Sequence, residues 1–134
     1  MNFKDLVQGA TDILEAEYTH EQQNNIYSVK LFFDGSVDET VHVYQDVFEN
    51  EDGVSKKIIV CESMVGKYSS SVKLLELSKS NNDLFFSRAY VSDDDKILVE
   101  SCTYMENLDS LNLSAIIDEI AQHASFLKED IVRI

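Results

Sequence analysis

Period-two alternation dominates the middle of this chain and limits what it can become. Tyr27, Val29, Leu31 and Phe33 alternate with Ser28, Lys30 and Phe32, and Val41, Val43 and Val47 keep the same parity between Val37 and Phe48. Such spacing sends successive side chains to opposite faces of a strand. Ile58–Cys61 reads as a third strand, and Leu84–Val91 and Ile97–Tyr104 as a hairpin joined by Asp93-Asp94-Asp95. Turn chemistry separates the segments: Asp34-Gly35-Ser36, then Glu49-Asn50-Glu51-Asp52-Gly53, whose glycine is free to take a positive φ. Strands joined by turns this short run antiparallel.

Helical spacing brackets and interrupts the strands. Phe3, Leu6, Val7, Ala10, Ile13 and Leu14 form one stripe over 3–17, with Asn2 placed to cap it and Asp5 in the first turn. His20–Asn25 is polar throughout and reads as a loop. Ser69, Ser70 and Ser71 read as the cap region of a short helix carrying Val72, Leu75 and Leu77, which Asn81-Asn82-Asp83 ends. Over about 112–130, Leu113, Ile116, Ile117, Ile120, Ala121, Ala124, Leu127 and Ile131 make the clearest stripe, with Asn112 or Ser110 as cap. The order α-βββ-α-ββ-α predicts an α+β fold: a mostly antiparallel five-stranded sheet with helices packed on one face. At 134 residues it is read as one domain, 1–134.

Charge narrows the partners. Twenty-five acidic side chains face 11 basic ones, a formal charge of −14. A surface this negative repels phosphate backbones and anionic lipid, so neither nucleic acid nor membrane is expected as a partner. Met1–Asp5 lacks the layout of a secretory signal, and no apolar run reaches 18 residues. Cys61 and Cys102 each lie in an apolar strand, which predicts reduced, buried thiols and a cytoplasmic protein; a cross-strand disulfide is the alternative for an exported chain.

Three helices can cover one face of such a sheet but not both. Tyr27, Val29, Leu31, Phe33, Val41, Val43, Phe85, Ala89, Val91, Ile97 and Val99 are assigned to the helix side. Alternation then puts Phe32, Tyr44, Phe48, Phe86, Tyr90 and Tyr104 on the other side, with Lys30, His42, Arg88 and Glu100. A solvated face normally reads polar. An aromatic one reads as a partner-covered surface, unless a one-residue slip of register exchanges the faces. Phe32, Tyr44, Phe48, Phe86, Arg88 and Tyr90 are therefore the candidate positions for dimer contact and protein binding.

No catalytic pattern accompanies them. His20, His42 and His123 lie far apart, without a neighbouring ligand at metal spacing. Neither cysteine adjoins a basic residue, and neither a nucleophile elbow nor a phosphate-cradling glycine loop occurs. Asp93-Asp94-Asp95 lacks the glycine and distal glutamate of a calcium loop. The reading is a non-enzyme, with no cofactor and no metal.

The segment Leu74-Leu75-Glu76-Leu77 through Asn81-Asn82-Asp83-Leu84-Phe85-Phe86-Ser87-Arg88-Ala89, continued by Asp93–Ser101, resembles the YbjN-like proteins. Those share the fold of class I type III secretion chaperones, the Tir-chaperone-like fold. The resemblance implies a cytoplasmic homodimer that binds an extended segment of a client or effector protein, as chaperone or regulator. The alternative is an acidic inhibitor or decoy that engages a basic partner by surface charge. A small-molecule pocket between sheet and helices is a third possibility, to which no converging polar groups point.

Overall fold

The computed structural model describes residues 2–33 and 38–132, with backbone alone for 131 and 132. The turn expected at Asp34-Gly35-Ser36 and the side chain of Ile131 lie outside the described residues. The chain begins with α1 (Phe3–Leu14), followed by β1 (Glu17–Glu21), β2 (Ile26–Leu31), β3 (Glu39–Glu49) and β4 (Ser55–Lys67). After α2 (Leu74–Ser80) come β5 (Arg88–Val91), β6 (Lys96–Tyr104) and α3 (Ser110–Leu127). The fold is α+β, as the alternation required, but the sheet has six strands rather than five, in the order β1-β2-β3-β4-β6-β5 with every neighbour antiparallel.

The additional strand is β1, in part of what reads as a loop. Glu17 pairs with Lys30 and His20 with Tyr27, so the backbone ladder of β2 holds it in place. Four of its five side chains are exposed. With Tyr18 alone packed against the core there is no periodicity to see, and its glutamates make a charged rim that discourages strand addition. Asn25, at φ 54, completes the turn into β2 and bonds His20 Nε2 at 2.7 Å, and the His20 ring stacks on Tyr27.

Helix α1 stops at Leu14, where Glu15 takes the left-handed conformation at φ 53. Its N-cap is Asn2, whose Oδ1 accepts from the Asp5 N–H at 2.7 Å. Phe3, Leu6, Val7 and Ala10 are buried, and Phe3 meets Tyr27 edge-on. At Gly9 a Cβ would collide with the Ser110 side chain, so α1 and α3 approach closely there. Helix α3 lies across β3, β4 and β6. Leu113, Ile116, Ile117, Ile120, Ala121, Ala124 and Leu127 are buried in one core with Val29, Val41, Val43, Ile59, Cys61, Ile97 and Val99. Its cap is Asp109, which accepts from the Asn112 N–H at 2.7 Å, rather than Asn112 or Ser110. At its far end Lys128 Nζ meets Glu39 Oε2 at 2.8 Å, and Glu39 is only 2% exposed.

Two local expectations change. Ser69–Ser71 form a turn in which Val72 N–H reaches Ser69 O, and α2 starts at Leu74 without a side-chain cap. Of its apolar members Leu77 is buried, whereas Leu75 and its neighbour Leu74 are exposed. The strand expected from Leu84 begins only at Arg88, because residues 84–87 are drawn onto α3 instead. At the outer rim of β5, Asn81 Oδ1 accepts from the Ala89 N–H at 2.6 Å and its Nδ2 donates to Ala89 O at 3.0 Å. The amide thus stands where a further strand would bind.

Candidate functional site

The helices cover one side of the sheet and leave the other bare. The folded chain exposes 8277 Å², above the roughly 7,100 Å² typical of a monomer of this mass. The bare side is ordered by strand register. His42, Glu62, Glu100 and Arg88 lie in one row across β3, β4, β6 and β5. Tyr44, Val60 and Cys102 form the next row, and Asp46, Ile58 and Tyr104 the one beyond. On the opposite flank Met64, Leu98 and Tyr90 align.

Four of the six candidate residues lie on this face. Tyr44 and Tyr90 are half-buried, Phe48 and Arg88 exposed. Phe48 meets the Tyr104 ring at 6.5 Å, beside a depression of about 300 Å³ that Ile58 and Cys102 also line. Phe32 is exposed just past the end of β2. Phe86 is not on the sheet; it belongs to the 84–87 loop.

A carboxyl pair occupies the middle. Tyr90 Oη donates to Glu100 Oε2 at 2.9 Å, and Cys102 Sγ donates to its Oε1 at 3.6 Å. Burial first, then hydrogen bonding to Glu100 and the charge of that residue, raise the pKa of Glu62, against a smaller opposing effect of the Tyr44 hydroxyl. Burial and the two carboxylates push Tyr44 up to about 12, and Tyr90 likewise, with its hydrogen bond to Glu100 contributing. Arg88, opposite Glu100 in register, lies over the Tyr90 ring, its guanidinium carbon 5.6 Å from the ring centre. Cys102 is exposed on this face rather than buried, while Cys61, in the adjacent row, points into the core. Cys61 and Cys102 are free and, being one residue out of register on opposite faces, cannot bridge within the chain.

A second apolar surface was hidden from sequence reasoning. Glu119 of α3 accepts the backbone N–H groups of Phe85 (2.7 Å), Phe86 (2.9 Å) and Ser87 (3.0 Å), and the Ser87 hydroxyl at 2.8 Å. Phe85, assigned to the helix side of the sheet, is 89% exposed, so that assignment is corrected. One carboxylate here satisfies four donors of a segment that would otherwise continue the strand. Phe85, Phe86 and Phe126 border a groove of about 430 Å³ along α3, rimmed by Asp83 and Asp118. The adjacency of Phe85 and Phe86 was the available signal, since alternation cannot bury both.

The histidines stay apart: His42 Nδ1 bonds Ser28 Oγ at 3.0 Å, and His123, buried on α3, shares a bond with Ser80 Oγ at 3.1 Å. Burial lowers the pKa of His123. Among the described residues no group of His, Cys, Asp and Glu is arranged to hold a metal ion, and no helix is long and apolar enough to cross a membrane.

No protein-family model matches the chain, and no curated protein does. The fold does have a solved counterpart. The Yersinia pestis type III secretion chaperone SycH, crystallised in complex with a stable fragment of YscM2, superposes with a TM-score of 0.59 at 15% identity, over 94% of this chain and 99% of that one. The chain has a secretion-chaperone-like fold.

Proposed function

We propose that this chain is a non-enzymatic, chaperone-like or regulatory module that binds an extended segment of a client protein, acting as a cytoplasmic homodimer. The observation that carries the reading is the uncovered aromatic side of the sheet, where Tyr44, Phe48, Tyr90 and Tyr104 surround a polar centre without a helix over them. The fold shared with SycH, itself in complex with a fragment of another protein, supports it. The YbjN-like residues at Leu74–Ala89 support the regulatory form of the same reading. The second apolar surface, the groove that Phe85, Phe86 and Phe126 border along α3, suits contact with a second copy, while the sheet face takes the client.

Photocrosslinking tests this division. A photoreactive phenylalanine at position 48 is expected to trap a client segment in native cells, and one at position 85 a second copy of the chain. Absence of any protein adduct from position 48 would remove the client reading. The net charge of −14 favours a second reading, an acidic inhibitor or decoy for a basic protein. Salt separates them: capture by surface charge collapses between low and moderate ionic strength, whereas capture by apolar contact persists.

A further inference from the structure

We infer that Glu62 and Glu100 are a proton-sharing carboxyl pair that controls occupancy of the open sheet face, leaving it receptive to an apolar segment while the proton is held and closing it electrostatically when the proton leaves. The inference deepens the client reading and rests on it for the identity of the occupant; the pair itself rests on geometry. The two residues are directly opposed in the β4–β6 ladder and project to the same side. Like charges directly opposite each other repel, which favours keeping a proton on the Glu62 side of the pair, the carboxyl that burial also pushes up.

What surrounds the pair relieves the repulsion only in part, through neutral donors and without an ion pair among the described residues. From β5, Tyr90 donates to Glu100, while Arg88 is turned over the Tyr90 ring and has no carboxylate within ion-pair distance among the described residues. From β6, Cys102 faces Glu100 as a neutral thiol. From β3, Tyr44 and His42 face Glu62, and Asp46 lies one row further out and adds negative charge. His42 is engaged by Ser28 and is exposed.

A segment covering this face removes the pair from water. Desolvating one shared charge costs less than desolvating two, so the occupied state holds its proton more tightly and binding takes up a proton. Above the protonation midpoint of the free pair, affinity then falls by up to tenfold per pH unit. His42 stands directly opposite Glu62 across the β3–β4 ladder, so that residue has its own control.

The experiment reads the whole chain with Nile red, a neutral apolar dye, titrated from about pH 5 to about pH 8. Carbon-detected NMR of the Glu62 and Glu100 carboxyls runs in parallel. Dye affinity is expected to fall several-fold across the range, with one carboxyl titrating above the ordinary glutamate value and at the midpoint of the dye profile. Glu62→Gln should flatten the profile at its high-affinity level, Glu100→Gln should do the same if the first variant does not fold, and His42→Gln should keep the slope. A flat or empty wild-type profile, a slope surviving in both glutamine variants, or two carboxyls titrating as isolated ones would each overturn the control. The client reading fails separately: should the glutamine variants flatten the profile while position 48 crosslinks to no protein, the proton control stands without its proposed occupant.

Discussion

Glu39 shows how much a single charge inside the fold depends on one partner. Its carboxylate is nearly inaccessible and is met by Lys128 from the far end of α3. Removing the ammonium strands a buried anion, so Lys128→Met is expected to cost about 2–3 kcal/mol in urea unfolding, less than for a fully buried pair because Lys128 is a third exposed. Pairing it with Glu39→Met should recover part of that loss. At Glu62 the sign runs with pH. Its raised pKa means that the folded chain holds the proton more tightly than the unfolded one. The resulting stability is complete below the ordinary value of 4.5 and is lost as pH rises through the raised one. Melting curves should therefore show Glu62→Gln gaining on the wild type as pH increases, with no pH-dependent gain in acid; a constant difference would contradict this. Neither residue announces itself in the sequence. Glu39 opens an alternating strand where a charge reads as solvated, and its partner lies 89 positions away.

Helices α1 and α3 were legible because one stripe of each is buried, and β2, β3 and β6 because a strand with one covered side alternates. Strand β1 was not, since Tyr18 alone packs against the core, one residue makes no pattern, and its place is set by backbone bonds to β2. Residues 84–87 were misread for a different reason: their composition suits a strand, and the competing partner is a carboxylate on α3 that no local window contains. Glu119→Ala leaves three amides and a hydroxyl to find water, an expected loss of about 1–3 kcal/mol. Hydrogen exchange should locate it, with the Phe85, Phe86 and Ser87 amides accelerating while those in the middle of α3 keep their protection. Equal acceleration across α3 would mean that Glu119 supports the helix rather than the loop.

For the molecule as a whole, three helices are too few to cover two sheet faces, and the structure leaves Phe48, Tyr104 and Met64 exposed on the second one. The candidate positions were legible wherever strand parity held, at Tyr44, Phe48, Arg88 and Tyr90, and were displaced at Phe86, where it broke. Should these residues anchor the proposed contacts, each would cost upward of about 1 kcal/mol when truncated. Phe85→Ala with Phe86→Ala should thus shift the mass measured by light scattering toward the single chain, whereas Phe48→Ala with Tyr104→Ala should leave that mass unchanged. An unchanged mass in the first variant would exclude the loop from self-contact. The side-chain amide of Asn81 takes up the Ala89 backbone at one rim and the glutamates of β1 charge the other, so both edges discourage a guest from adding as a neighbouring strand. A guest held on the aromatic surface instead contributes side chains alone, and need not offer an unbroken run of amide hydrogens. Under the proposed client reading, proline-rich stretches, which a growing ladder would reject, are admissible on such a surface.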